Sequence, residues 1–310
     1  MPELAIILVN YRRAGDTIEC VRSLRGSAYQ DFRVIIVDNA SGDGSVERLG
    51  RDCPEAQLIA HDSNLGFAEG NNAGIREALH GGARYVLLLN NDTVVDRSAL
   101  GELVQTLKDH AEAAIAGAKI CYFDRPHVLW FAGGHFNQDS TFGGHYGLNQ
   151  EDRGQFDTLR SCDFVSGCCL LFRRDITERI GILERSYFAY LEDVEFCVRT
   201  RAAGFQVLYQ PNARILHKVS STASWDSPVY IYFNLRNKIL FLRRNSSPAR
   251  WLPHLPRLVY FYARQFVRLV FKWHDLPGTR AAWLGLRDGL RNFTGSCGEG
   301  SLHRLGATHR

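Results

Sequence analysis

The chain has 310 residues, 45% of them hydrophobic and 23% charged, which suits one large domain or a core domain with an appendage. A net charge of +4 is too small to argue for nucleic acid as a partner. Residues 1–10, MPELAIILVN, lack a basic n-region and no long uninterrupted apolar run exists, so neither a secretory signal nor a spanning helix is predicted.

The first half alternates. LAIILVN (4–10) reads as a strand, and residues 15–26 carry Ile18, Val21 and Leu24 at helical spacing. RVIIVDN (33–39) is a second strand ending in Asp38 and Asn39, followed by the turn SGDGS (41–45) and a helix with Val46 and Leu49. AQLIAH (56–61) is a third strand, SNLGFAEGNNAGIREAL (63–79) a loop entering a helix, and Tyr85–Leu89 a fourth strand. Such alternation with short connections predicts an α/β sheet with helices on both faces. Polar residues gather where strands end: Asn10, Asp38 with Asn39, and Asn90 with Asp92. In open α/β sheets ligands bind beyond the carboxyl ends of the strands. Asn and Asp also favour turns and helix caps, which accounts for any single one of these positions but less well for all three.

Further on, residues 98–110 read as an amphipathic helix and 113–123 as a strand. Residues 124–160, with FAGGHFN and TFGGHYG, read as a long functional loop rather than core. FVSGCCLLFRR (164–174) is a strand and ITERIGILER (176–185) a short helix. YLEDVEFCVRTRAAG (190–204) is a helix ending at Gly204, with Glu192 and Asp193 at its amino end. That pair is either a dipole-favoured cap or a source of a general base. FQVLYQP (205–211) and ARILHK (213–218) are strands, the second bringing His217 to a strand end.

The eight cysteines show no CxxC or zinc-type spacing, which predicts reduced thiols in a cytoplasmic chain. Residues 228–290 hold eleven Arg and Lys against Asp275 and Asp288. In 258–273, Arg264, Arg268 and Lys272 recur every four residues among Phe261, Phe266, Val267, Val270, Phe271 and Trp273. Two readings stay open: a basic amphipathic helix in a membrane interface, or a helix packed on the catalytic domain with a solvated basic edge. Residues 292–310 read as a flexible tail.

IILVNY (6–11), VIIVDNASGDGS (34–45), NLGFAEGNNAGI (64–75), LLLNNDTVV (87–95), VSGCCLLFRR (165–174) and YFAYLEDVEFCVRTRAAG (187–204) together resemble family 2 glycosyltransferases of the GT-A fold, in particular the bacterial rhamnosyltransferase-like branch. The resemblance spans about residues 4–220 and rests on the order and spacing of motifs that are each weak alone.

It implies an inverting, metal-dependent glycosyltransferase that moves a sugar from a nucleotide-sugar to a hydroxyl of a glycan or lipid-linked glycan, in cell-surface polysaccharide assembly. dTDP-rhamnose is the favoured donor, with UDP- and GDP-sugars open. By position, Asn10 and Tyr11 would lie near the nucleobase, Asp38 would bind base or ribose, and Asn39 would neighbour it. Asn64, Gly66, Phe67 and Asn71 would line the nucleotide and donor-sugar pocket. Asn90, Asn91 and Asp92 would be this chain's version of the DxD motif, with Asn90 where the pattern often has an acid. Asp92 and His217 would serve Mg2+ or Mn2+ and the diphosphate, and Asp193, beside Glu192, would be the base. The corresponding division is a catalytic domain over 1–225 (nucleotide half 1–97, acceptor half 98–225), a basic helical extension over 226–291, and the tail. The expected location is the cytoplasm, and the membrane reading of 228–290 would add peripheral contact on the inner membrane face, suiting a lipid-linked acceptor.

Two rivals are weaker. A sugar-phosphate nucleotidylyltransferase would carry a Gly-rich loop after the first strand, which VNYRRAG (9–15) lacks. A non-catalytic glycan or membrane-surface module would not need Asp92, Asp193 and His217 together.

Overall fold

The structure, a computed structural model, describes residues 2–219, 227–272 and 274–296. They form two compact units. The first takes in residues up to 135, 144–184 and 193–219; the second takes in 136–143, 185–192 and the described residues from 227 onward.

The first unit is built on one sheet. In chain order its nucleus is β1 (Leu4–Asn10), α1 (Ala14–Arg25), β2 (Phe32–Asp38), α2 (Ser45–Asp52), β3 (Gln57–Ala60), α3 (Gly66–His80) and β4 (Tyr85–Asn90). The apolar runs of β1 and β4 are buried except at Val9, which is half-buried, as strands covered on both faces require. Each fully buried Leu or Ile there contributes about 1.5–3 kcal/mol. α3 packs on β1 and β2 through small residues. A Cβ at Gly74 would lie 2.5 Å from the Ile7 side chain, so glycine sets the distance between helix and sheet.

β5 (Thr93–Val95), α4 (Ala99–Asp109), β6 (Ala113–Tyr122) and β7 (Leu129–Phe131) follow. A hairpin of β8 (Gly134–Asn137) and β9 (Phe142–His145) comes next, then β10 (Arg160–Ser161), β11 (Cys169–Arg173), α5 (Ile176–Ile180), α6 (Glu192–Ala202) and β12 (Gln206–His217). The sheet order is β10-β12-β6-β11-β4-β1-β2-β3. β1 is parallel to β2 and β4, β2 to β3, and β6 to β12, while β11 is antiparallel to both β4 and β6. The carboxyl ends of β1, β2, β4 and β12 and the amino end of β11 therefore lie along one edge.

Three sequence expectations change. The two strands read over 205–211 and 213–218 are one strand, β12, with a register shift between Gln210 and Arg214. Pro211 offers no backbone donor, and the bulge lets the strand continue past it. The strand read over 164–174 begins only at Cys169; Val165–Cys168 form the turn that delivers it. The 124–160 stretch is not all loop: Leu129, Trp130 and Phe131 form β7, buried against β6. A three-residue apolar run among Gly and His leaves no period to read.

Apart from the hairpin tip at 136–143 and residues 185–192, the second unit is helical: α7 (Pro228–Asn245), α8 (Pro248–Trp251), α9 (Leu255–Val267), a π-helical turn over Arg268–Lys272, and α10 (Leu276–Leu290). Pro at the first turn, with Ser227 and Asp275 accepting from Tyr230 N and Gly278 N, starts α7 and α10. The π turn breaks the four-residue stripe of Arg264, Arg268 and Lys272 at its end; Trp273 lies outside the described residues. α7 and α10 pack around Tyr232, Phe233 and Ala281.

The fully buried Arg236 donates to the carbonyls of Tyr187 (2.7 Å) and Ser186 (3.3 Å), and Asn237 Nδ2 donates to those of Tyr187 (3.0 Å), Ala189 (2.7 Å) and Tyr190 (2.7 Å). Arg236 also donates to Gly295 O, and Gly295 N donates to Ser186 O. Residues 292–296 are thus tied down rather than the start of a flexible tail; 297–310 lie outside the described residues. No described helix is long and apolar enough to cross a membrane. The seven described cysteines are free and buried, and Cys297 lies outside the described residues.

Candidate active site

The polar strand ends form one bonded set. Asn10 Nδ2 donates to Asp38 Oδ2 (2.7 Å), and Ser41 donates to Asp38 through both its hydroxyl (2.6 Å) and its backbone N–H (2.9 Å). Thr17 donates to Asn10 Oδ1 (2.8 Å), and Asn91 Nδ2 donates to Thr17 Oγ1 (2.8 Å). Asn10 is fully buried and Asp38 nearly so. A carboxylate has about four lone-pair sites, so Asp38 keeps capacity for about one more donor. Tyr11 follows at the surface, its ring beside the Arg12 guanidinium at 5.2 Å.

Asn39 does a different job from its neighbour. Its Nδ2 donates to Asn64 Oδ1 and Gly66 O, both at 3.0 Å, and its Oδ1 accepts from Leu65 N at 3.0 Å. The amide thus fixes the loop that enters α3. Gly66 adopts φ +82°, which admits glycine at little cost. Asn71 spends its Nδ2 on Phe67 O inside α3. The Phe67 ring reaches forward and lies 3.4 Å from where a Cβ on Gly167 would be.

β4 and β12 bring the second group together. β5 pairs with β12 so that Thr93 faces His217. His217 Nε2 then lies 3.1 Å from Asp92 Oδ1 and 3.4 Å from Asn90 Nδ2, and Lys218 N donates to Asp92 O at 3.0 Å. Asp92 and His217 are both nearly buried. The ring of Trp130 meets His217 edge-on at 4.8 Å and meets His145 the same way at the same distance. Burial pushes the His145 imidazole down to about 4, so it stays neutral.

A divalent cation fits this corner by donor chemistry. Asp92 offers a carboxylate and His217 an imidazole nitrogen, and the buried Asn90 Oδ1 has no hydrogen-bond partner among the described residues. No group of three His, Cys, Asp or Glu side chains assembles among the described residues. Among the described residues, Asp92 is the one carboxylate grouped with His217 and Asn90 at this corner.

Asp193 stands apart from that corner. Its Oδ2 accepts from Gly167 N and its Oδ1 from Val194 N, both at 2.8 Å. Burial raises the carboxyl above its ordinary value, and these backbone N–H groups offset only part of that. Cys168 feels the charge of both acidic positions. Burial raises its thiol, with the charges of Asp92 and Asp193 adding to the effect. Glu192 is buried too, and its charge acts on Tyr190, whose phenol is raised mainly by burial and then by Tyr230.

Ser41, Thr17, Gly167 and Trp130 hold this arrangement and were not singled out in the sequence. Only Ser41 had a local signal, as a residue three past an Asp in a turn. Thr17 is brought in by α1, Trp130 by the pairing of β7 with β6, and Gly167 by the turn before β11.

Residues 5–181, more than half of the chain, match the family described as glycosyl transferase family 2. The low-salt glycan biosynthesis hexosyltransferase Agl10 of Haloferax volcanii is 26% identical over 305 residues, covering 95% of this chain and 93% of that protein. The dTDP-rhamnosyl transferase RfbF of Shigella flexneri is 24% identical, covering 86% and 88%. The N-acetylglucosaminyl-diphospho-decaprenol L-rhamnosyltransferase of Mycobacterium tuberculosis is 23% identical, covering 80% and 88%. Among solved structures, the mannosyltransferase PcManGT of Pyrobaculum calidifontis, in complex with GDP-Man and Mn2+, superposes with a TM-score of 0.56 at 16% identity, over 99% of this chain and 79% of that one. TarS residues 1–349 of S. aureus give 0.58 at 14% identity, over 98% and 87%. The sheet, its polar edge and these likenesses agree with the GT-A architecture, and the chain belongs to glycosyl transferase family 2, as an enzyme of the hexosyltransferase kind with rhamnosyltransferases among its relatives.

Proposed function

We propose that the chain moves a sugar from a nucleotide-sugar, with dTDP-rhamnose the first candidate, to a hydroxyl of a glycan or lipid-linked glycan, with inversion at the anomeric carbon. The observation that carries this reading is the separation of two acidic positions along one sheet edge. Asp92 is grouped with His217 and Asn90, while Asp193 is held by Gly167 and Val194. Nucleotide-sugar transfer needs one place that neutralises the departing diphosphate and another that takes a proton.

Asp92, His217 and Asn90 would hold Mg2+ or Mn2+, which when bound supplies positive charge against the diphosphate. Asp38, with Asn10, Ser41 and Tyr11, would form the base and ribose end of the donor site. The Asn64–Phe67 loop, pinned by Asn39, would close over the donor toward Asp193. The acceptor hydroxyl gives its proton to the Asp193 carboxylate as its oxygen forms the new bond to the anomeric carbon. The bond from that carbon to the diphosphate oxygen breaks, and its electron pair leaves with the nucleoside diphosphate. Burial keeps Asp193 a stronger base than an exposed carboxylate. Glu192 would tune this end of α6 rather than take the proton itself.

The relatives that act on dTDP-rhamnose and on a diphospho-decaprenol acceptor support the choice of donor and of a lipid-linked acceptor. The basic second unit supports peripheral contact with a membrane. The test is release of nucleoside diphosphate from dTDP-rhamnose, UDP-sugars and GDP-sugars, with Mn2+ or with chelator, and NMR assignment of the product anomer. A retained anomeric configuration, or equal turnover in chelator, would refute the mechanism.

A further inference from the structure

The second unit contains a cavity of about 760 Å3 that the transfer chemistry does not use. Its wall is mostly apolar and aromatic, with Ile231, Leu235, Phe261, Phe266, Trp283 and Leu286 among the lining side chains. Among the described residues, one charged group, Lys238, lies in that wall, with its ammonium 5.6 Å from the Phe261 ring centroid. Among the described residues, no carboxylate lines the cavity.

We propose that this cavity seats one acyl chain of an anionic membrane phospholipid, with Lys238 against the lipid phosphate. The proposal deepens the membrane reading above and does not depend on which sugar is transferred.

Three observations select this occupant. First, the cavity demands an apolar body with a single negative point, because it offers one cation in an apolar wall. Burial alone brings the Lys238 amine down to about 8, and a bound phosphate would restore the charge it disfavours.

Second, the surface of the same helices is amphipathic in the way a bilayer interface requires. Val259 (57% exposed), Phe271 (72%), Leu276 (77%) and Trp283 (59%) stand out in solvent, and Arg257, Arg264 and Arg280 of the same helices are exposed too.

Third, the charge on α7 to α10 has little internal opposition. Against eleven basic residues in 228–290 there are two acids, and both are engaged: Asp275 accepts from Gly278 N, and Asp288 accepts from Tyr232 Oη and the Arg287 guanidinium. An aqueous sugar or nucleotide would leave the apolar wall wet. Arg250 is paired with Asp139, but a second protein covering this face would have to desolvate the exposed Arg257, Arg264 and Arg280.

The test uses the full chain and dioctanoyl phosphatidic acid below its micelle concentration, read by calorimetry and by tryptophan emission. We expect saturable binding. The emission change should vanish in Trp283→Phe, which keeps the calorimetric signal. Affinity should fall about tenfold in Lys238→Met and recover in Lys238→Arg, the size expected for losing one charge-assisted contact. Ala263→Phe, which fills the cavity from α9, should weaken binding without touching the charge. Melting curves identify any variant that fails to fold, and Lys238→Arg then carries the comparison with Ala263→Phe.

Equal binding of inorganic phosphate, a tenfold preference for an isoprenyl phosphate over the acyl lipid, or a dimer that shields Trp283 would each overturn the assignment. If the chain floats with anionic vesicles but Ala263→Phe and Lys238→Met bind lipid like the parent, the membrane reading stands and the cavity proposal fails. If the chain neither floats nor binds the lipid, both fail.

Discussion

His217 Nε2 lies 3.1 Å from Asp92 Oδ1, although the two residues are 125 positions apart. The pairing of β5 with β12 makes the contact, since Thr93 and His217 are register partners. One carboxylate and one imidazole at a strand edge, with the Asn90 amide beside them, make a sparse ligand set. Asp92→Ala is expected to lower donor affinity at least tenfold in the presence of Mn2+ and to abolish the difference between Mn2+ and chelator. His217→Ala should do the same more weakly, because it leaves the charged ligand in place. Calorimetric titration of the nucleoside diphosphate with and without Mn2+ checks both. Undiminished metal-dependent affinity in Asp92→Ala would remove the ion from this corner.

Asp193→Asn separates proton transfer from binding. Turnover should fall by about 100-fold or more, the scale of a lost general base. The Kd for nucleoside diphosphate should stay within about twofold of the parent. Near-normal turnover would assign the base elsewhere, and Glu192→Gln is then the variant to examine.

The same substitution has a thermodynamic signature. Burial raises the Asp193 carboxyl above its unfolded value. Between about pH 4 and the raised native value, the native state therefore holds more protons than the unfolded state. Stability falls as pH rises across that window. Asparagine has no such slope, so the Tm of Asp193→Asn relative to the parent should increase with pH through the window. A difference that is flat or shrinks with rising pH would contradict the raised value.

The approach to α6 is strained and is held from α7. Phe188, Tyr190 and Leu191 have φ of 63°, 69° and 72°, which non-glycine residues seldom adopt. The Asn237 amide donates to the Tyr187, Ala189 and Tyr190 carbonyls that flank this strain. Asn237→Ala removes this donor from the part-buried Ala189 and Tyr190 carbonyls, while Arg236 still serves Tyr187, and should cost about 2–4 kcal/mol, since each unsatisfied buried group costs about 1–3 kcal/mol. Turnover should fall with it. Chemical unfolding together with kcat at a temperature where the variant is folded checks both parts; a loss of less than about 0.5 kcal/mol would make the clamp incidental.

Close packing of α3 on β1 gives a purely structural prediction. At Gly74 a methyl would meet Ile7 at 2.5 Å. Gly74→Ala should gain helix propensity of about 1 kcal/mol but lose more by overpacking, for a net loss of about 1–2 kcal/mol. Combining it with Ile7→Val should recover part of the loss in thermal unfolding, and a stabilised Gly74→Ala would show that the helix can lift from the sheet.

The sequence by itself determined the alternating apolar strands and amphipathic helices of residues 4–122, because period and burial coincide where strands are covered on both faces. It also determined the polar strand ends Asn10, Asp38 and Asn90, whose residue types change at the point where each strand stops. Tertiary structure decided what those ends do. Asn39 and Asn64 look alike in the sequence to Asn10, yet hydrogen bonding turns them into the brace of a loop. Gly167 carries no chemical mark and becomes the donor to Asp193 only because β11 runs antiparallel beside β4. The single strand β12 escaped local reading because Pro211 signals a break that a bulge absorbs. Pairwise contacts between residues far apart in the chain depend on strand register, and no local pattern of residue types encodes register when both faces of a strand are apolar.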